Sequence, residues 1–186
     1  MPKRTELRLA GTADQNLALA GVILAEAAAI YEGKYASQSQ SYGPEARSGA
    51  SKTDVIISDS VIENPKTGHI DFLLALTDEA CQRYAPDLPE GAVLVVDADL
   101  VTEVPRRPLR VYRLSLTRLA REKAGKESLL NIVALGAVGC LAGVVSDEAL
   151  EQAVLARIPK GLEEETRRAL HAGCQEARRA KEGRTA

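Results

Sequence analysis

Apolar residues in this chain fall into short, nearly continuous runs in its first two thirds and into longer runs after that. Val55-Ile56-Ile57, Ile70 to Leu76 (IDFLLAL) and Ala92 to Val96 (AVLVV) have strand length and few polar interruptions. That is the pattern of strands covered on both faces, as in parallel sheets. Glu6 to Ala10, Lys34 to Ser41, Asp54 to Ser58 and Leu109 to Leu114 bring the predicted strands to six. Leu17 to Tyr31, rich in Ala and Leu and apolar around most of its circumference, is predicted as a helix, so the chain opens on a β-α unit. Asp78 to Tyr84 is a further helix with Thr77 or Asp78 as its cap, ended by Pro86, Pro89 and Gly91.

The last third is predicted helical. Thr117 to Ala124 leads through Gly125 into Leu129 to Val145, apolar apart from Asn131 and carrying Gly136, Gly139 and Gly143. Gly139 and Gly143 form a GxxxG pair of the kind found in membrane helices. The run is short for a bilayer and passes into Ser146-Asp147-Glu148, a helix-cap pattern rather than a basic flank. It therefore reads as a buried helix whose glycines allow close packing against a sheet or a partner. Ser146 caps a helix reaching about Ile158, Pro159 interrupts it, and a last helix runs from about Leu162 toward Arg179. Together these elements predict an α/β fold: doubly wound, with a mainly parallel sheet, helices on both faces and a helical C-terminal region. Ligands in such folds sit outside the C-terminal ends of strands. Two segments leave strand ends, Gly11 to Asn16 and the loop after Ser41.

Composition narrows the function. At 186 residues the chain has enough material for one substantial core, and a single domain over residues 1–186 is expected. A formal net charge of -2 gives no electrostatic reason for a nucleic-acid partner. The C-terminal cations Arg178, Arg179, Lys181 and Arg184 are interrupted by Glu176 and Glu182, as on a solvated helix end. The opening Met-Pro-Lys-Arg-Thr-Glu lacks the apolar run of a signal peptide, so a cytoplasmic protein with no membrane partner is expected. Cys81, Cys140 and Cys174 are isolated from one another and from the histidines, which argues against iron–sulfur or zinc sites in this chain and for buried thiols in a reducing compartment.

The segment most suggestive of a site is Gln38 to Gly49, Gln-Ser-Gln-Ser-Tyr-Gly-Pro-Glu-Ala-Arg-Ser-Gly. It is polar and rich in turn signals, Gly43-Pro44 and Ser48-Gly49, with the permanent cation of Arg47 between them. Arg47 suits an anion such as a phosphate; pairing with Glu45 or with a carboxylate of a partner subunit is the alternative. His69 and His171 read as surface histidines, Ser58-Asp59-Ser60 has no histidine at a telling spacing, and Asp97 and Asp99 are expected to cap the loop after the fifth strand rather than hold a cation.

The same segment resembles the Gln-Ser-Gln-Ser-Tyr-Gly-Pro-Glu-Ala-Arg-Gly-Gly loop of the gamma subunit of 2-oxoacid:ferredoxin oxidoreductases, which precedes a strand ending in Ser-Asp, as Ser58-Asp59 does here. The likeness continues through Asp71 to Leu76, through Asn131 to Ala137 and from Pro159-Lys160-Gly161 to Ala172-Gly173, in order over nearly the whole chain. It departs at the first turn: where the family has Gly-x-Gly-Gly-Gln-Gly, this chain has Gly11-Thr12-Ala13-Asp14-Gln15-Asn16, and only Gly11 and Gln15 match. Asp14 sets a carboxylate where an anion would bind, and its expected role is to cap the first helix. Thr166 stands at or near a family Asn.

The resemblance implies a complex that oxidatively decarboxylates a 2-oxoacid, 2-oxoglutarate or a relative, to an acyl-CoA. Thiamine diphosphate and iron–sulfur clusters would then reside in partner subunits of alpha, beta and delta type, with ferredoxin served by the complex. This chain would be a non-catalytic subunit, inactive alone, that supplies interface area and part of the coenzyme A channel. The residues it implicates are Gly11 and Gln15 in the first turn and Tyr42, Gly43, Arg47 and Gly49 in the loop. The competing reading is a stand-alone nucleotide- or coenzyme-binding module of the same fold. An autonomous dehydrogenase would need the dinucleotide fingerprint that Gly11 to Asn16 lacks.

Overall fold

In the computed structural model the described residues are 3–41 and 51–183. Strand β1 (Arg4–Gly11) shows how the sheet is covered. Side chains alternate along it, so Leu7 and Leu9 enter one core while Ala10, on the other face, enters a second. It lies inside a six-stranded sheet of order β2-β3-β1-β4-β5-β6, formed with β2 (Tyr35–Ser41), β3 (Ser51–Ser58), β4 (Phe72–Ala75), β5 (Val93–Asp97) and β6 (Arg110–Leu114). All six expected strands are present.

From β1 to β6 the neighbours run parallel, each pair joined through a crossover. Strand β3 is reversed and pairs antiparallel with both β1 and β2, so the sheet is mixed, with one strand against the direction of the rest. Chain length dictates this. Residues 42–50 are all that separate β2 from β3, and a parallel crossover needs a dozen residues or more.

Helices cover both faces unequally. On one side lie α1 (Leu17–Glu26, prolonged by a wider turn over Ala27–Tyr31), α3 (Leu116–Glu122), α4 (Leu130–Ala142), α5 (Asp147–Leu155) and α6 (Glu163–Glu182). Their core gathers Leu7, Leu9, Ile23, Phe72, Leu74, Val133 and Leu135. On the other side α2 (Asp78–Tyr84) packs with Leu73, Leu88, Leu94 and Val96 around Ala80 and Cys81. Thr77 caps α2 by accepting the Ala80 N–H at 3.2 Å, and Ser146 caps α5 by accepting from Ala149 at the same distance, both as expected.

Helix α4 is the centre of the larger core, with every residue from Leu130 to Gly139 buried. Each of its large apolar side chains contributes about 1.5–3 kcal/mol of transfer free energy. Its glycines serve packing, but not as the GxxxG pair suggests. Gly136 faces the Leu170 carbonyl of α6 and Gly173 of α6 faces the Val133 carbonyl of α4, so the two backbones touch; Gly139 admits the Leu150 side chain of α5, and Gly143, at φ +59°, ends the helix. Among the described residues, the run that has the length and composition of a membrane span is instead Ala13–Tyr31, and it packs on the sheet through Leu17, Ala20, Ile23, Leu24 and Ala27.

Candidate functional site

The two segments singled out by sequence leave the same end of the sheet. Gly11, the last residue of β1, pairs with Ser51, the first of β3, and Ser41, the last of β2, pairs with Lys52. Residues 42–50 therefore depart from and return to the strand ends beside the Gly11 turn. Tyr42, Gly43, Arg47 and Gly49 lie outside the described residues.

The Gly11 turn is closed by its own groups. The Gln15 carboxamide oxygen accepts the Thr12 N–H at 2.9 Å, and the Gln15 N–H returns to the Thr12 carbonyl at 3.2 Å. A Cβ at Gly11 would overlap that carboxamide, so Gly11 and Gln15 are a matched pair: the glycine makes room for the side chain that satisfies the turn. Asp14 does not cap the first helix. Ala13–Gln15 is a separate turn of 3-10 helix, and α1 starts only after Asn16, whose left-handed backbone (φ 49°) provides no side-chain cap. Asp14 is exposed within that turn.

On the α4 side the turn borders a cleft of about 240 Å³ lined by Asp14, Gln15, Leu100, Glu127, Leu130 and Asn131. Its charges are the carboxylates of Asp14 and Glu127, the latter paired with Arg121 at 2.9 Å. A phosphate group gains nothing there.

On the opposite sheet face three cations gather beside the carboxylates of Asp54 and Asp87. Arg8, Lys52 and Arg83 surround the Tyr84 ring, their charged groups 5.1, 5.7 and 5.6 Å from its centre. Arg8 grips Asp54 through two hydrogen bonds of 2.7 and 2.8 Å, Thr67 donates to the same carboxylate at 2.8 Å, and Lys52 stands 3.6 Å away. Burial acts to raise the Asp54 pKa, but the hydrogen bonds and charge of Arg8, the Thr67 hydroxyl and the charge of Lys52 outweigh it and hold the carboxyl below its usual range. Below this cluster Glu6 accepts the backbone N–H groups of Gly68 and His69 at 2.7 and 3.0 Å and the Arg4 guanidinium at 2.7 Å. These carboxylates pin the irregular segment 59–71 across the sheet.

The remaining candidates are structural. Asp97 is fully buried and accepts the N–H and the hydroxyl of Thr117, while Asp99 accepts the Arg118 N–H at 2.9 Å, so both cap the start of α3. Burial raises the Asp97 pKa in spite of those bonds. His69 and His171 are exposed, and the His171 ring meets Glu151 at 2.8 Å. Among the described residues no three His, Cys, Asp or Glu side chains gather into a group that would hold a metal ion.

Sequence reasoning passed over Arg8, Lys52, Arg83, Tyr84 and Asn131 as site residues. Arg8 carried a readable signal, because Glu6 and Arg8 alternate with Leu7 and Leu9 on a strand expected to be covered on both faces, where charges need partners. Arg83 and Tyr84 carried none, since only the folded sheet brings them to Arg8.

Comparison with known proteins places this architecture. The pattern of the family described as "Pyruvate ferredoxin/flavodoxin oxidoreductase" matches residues 6–176. The gamma subunit of the keto/oxoacid ferredoxin oxidoreductase of Geobacter sulfurreducens PCA superposes with a TM-score of 0.89 at 49% identity, over 96% of this chain and 98% of that one. The 2-oxoglutarate synthase subunit KorC of Methanocaldococcus jannaschii is 45% identical over 177 residues, 94% of this chain and 95% of its own length. The fold also recurs, at 20% identity and a TM-score of 0.85, within 31% of a longer chain of the Magnetococcus marinus 2-oxoglutarate:ferredoxin oxidoreductase. The chain belongs to the pyruvate ferredoxin/flavodoxin oxidoreductase family, as an oxidoreductase subunit of the gamma type. Other subunits of that enzyme are its partners.

Proposed function

We propose that the complex served by this chain oxidatively decarboxylates 2-oxoglutarate to succinyl-CoA and passes the electrons to a ferredoxin. The observation that carries the choice of substrate is the 45% identity, over nearly both full lengths, to a 2-oxoglutarate synthase subunit. Thiamine diphosphate and iron–sulfur clusters belong to partner subunits of alpha, beta and delta type, and the complex is cytoplasmic. Residues 1–186 act as one gamma-type domain that is inactive alone. The burial of α4 removes one reason for a partner, because that apolar helix is already covered. Near full-length likeness to known subunits weighs more.

Within the complex this subunit contributes a cationic wall to the coenzyme A site. Arg8, Lys52 and Arg83 make the sheet face next to residues 42–50 favourable to phosphate, whereas the α4 side is acidic. Arg47 then makes the direct phosphate contact, with Tyr42, Gly43 and Gly49 shaping its loop. Gly11 and Gln15 hold the neighbouring turn in place.

Anaerobic affinity purification of the tagged chain from its own cells is expected to recover a thiamine-diphosphate subunit and a ferredoxin-like subunit. The recovered complex should turn over 2-oxoglutarate with kcat/KM at least about tenfold above pyruvate. A chain recovered alone under mild conditions would overturn the subunit assignment, and preference for another 2-oxoacid would overturn the substrate. In the same complex, Arg47→Ala is expected to raise the KM for coenzyme A about tenfold with little change in kcat, as for loss of a charge-assisted contact made equally in ground and transition states. An unchanged KM would leave Arg47 to its ion-pair alternative.

A further inference from the structure

Helices α4 and α6 approach more closely than side-chain-separated helices do, because Gly136 and Gly173 place backbone against backbone. A Cβ on Gly136 would stand 3.2 Å from the Cys174 nitrogen. Cys140 lies one turn along α4 from Gly136, on the same helix face. This brings Cys140 toward Cys174 at the crossing, where it helps to raise the Cys174 pKa. Both are free cysteines, Cys140 half-buried and Cys174 buried. Cys174 also lines a cleft of about 200 Å³ between α4, α5 and α6, with Asp147, His171 and Arg178 around it. Its thiol points to the Asp147 carboxylate at 3.9 Å.

We propose that Cys140 and Cys174 form a redox-active dithiol, which hydrogen peroxide converts to a disulfide that staples α4 to α6. Cys140, the more exposed of the two, reacts first: its sulfur takes one oxygen from the peroxide to become a sulfenic acid, and water leaves. Cys174 then attacks that sulfur, the S–S bond forms, and the sulfenic oxygen departs with the Cys174 proton as a second water. One peroxide thus consumes both thiols and yields two waters. The division of labour follows from surroundings. Burial, the neighbouring Cys140 and the Asp147 carboxylate push the Cys174 thiol up to about 12, so it is a poor nucleophile toward peroxide and attacks the sulfenic sulfur only as it gives up its proton, which leaves in the second water. The glycine-mediated crossing lets the two helix backbones approach closely, which favours the short Cα separation that a disulfide requires.

The test uses the purified full chain exposed to hydrogen peroxide, quenched in denaturant with N-ethylmaleimide and mapped by mass spectrometry. The expected product carries a Cys140–Cys174 cross-linked peptide, with Cys81 still alkylated. Its thermal midpoint should rise by about 5–10 °C, because the bond closes a long loop in the unfolded chain, and dithiothreitol should reverse the rise. Cys140→Ser and Cys174→Ser should each abolish the cross-link and the rise. Alkylation of both thiols after peroxide, or sulfinic acid at Cys140 without a cross-link, would overturn the proposal.

Discussion

Gly173→Ala is expected to destabilise the protein by about 3 kcal/mol or more, a large loss for the addition of one methyl group. The new Cβ would overlap the Val133 carbonyl oxygen and stand 3.1 Å from the Ala137 nitrogen, and both are backbone atoms of α4. A side chain in the way could change rotamer. A helix backbone cannot, so α4 and α6 must separate, and α4 carries ten consecutive buried residues with it. Alanine is the better helix former by about 1 kcal/mol, which offsets only part of the cost. Gly136→Ala should behave alike, since its Cβ would overlap the Leu170 carbonyl oxygen. Gln175→Ala, at an exposed position of the same helix, should be nearly neutral. Guanidinium denaturation of the three variants checks the ordering, and a Gly173→Ala protein as stable as the parent would show that the helices do not cross at this distance.

That crossing also marks the limit of what the sequence made legible. The glycines of α4 announce close packing, but the spacing that stands out, Gly139 to Gly143, spans the helix end, because Gly143 is the left-handed residue that terminates it. The partner glycine lies on α6, beyond the whole of α5, and no local pattern links the two. Strands β3, β4 and β5 were legible because burial on both faces leaves a run of apolar residues that little else produces. The reversal of β3 was not legible: with the strand expected from Asp54, twelve residues follow Ser41, enough for a crossover. The structure starts β3 at Ser51, and the nine residues left favour a hairpin.

The candidate site was less open to reading. Gly11 and Gln15 stood out by resemblance to a phosphate-cradling turn, and the structure shows a joint structural task for them that the resemblance did not suggest: the side chain of one fills the space left by the other. Asp14 had the right residue type for a cap, but capping depends on where the helix begins, and Asn16 moves that start two residues on. The cationic wall was hidden for a different reason. Its members come from β1, β3 and α2, and the sheet order β3-β1-β4 is what sets them around one tyrosine. Sheet order is a long-range property that strand patterns do not encode.

Asp54→Ala is expected to cost about 3–5 kcal/mol, because it leaves the Arg8 guanidinium buried without its counter-charge. The side chains are 14% and 7% exposed, so water compensates little for either. Removing both charges should cost less: Arg8→Met combined with Asp54→Leu is expected to recover at least half of the loss, since the desolvation of both ions disappears with them. The same pair predicts an acid limb in the stability profile. The folded-state pKa of Asp54 is depressed, as is that of Glu6, where burial is outweighed by the His69 and Gly68 N–H groups and by Arg4. A depressed carboxylate contributes stability that is fully present above its unfolded pKa and is lost as pH falls through the folded one. Stability should therefore hold near neutrality and decline below about pH 4, the ordinary carboxylate range. The decline should be shallower in the double variant, which lacks Asp54 but keeps Glu6 and the other ion-paired carboxylates such as Glu26, Glu32 and Glu151. Guanidinium unfolding at a series of pH values measures both slopes, and equal acid limbs in parent and double variant would remove Asp54 from the account. Because Arg8 also belongs to the cationic wall, a double variant that folds and assembles but binds coenzyme A more weakly would separate the fold's need for this pair from the site's.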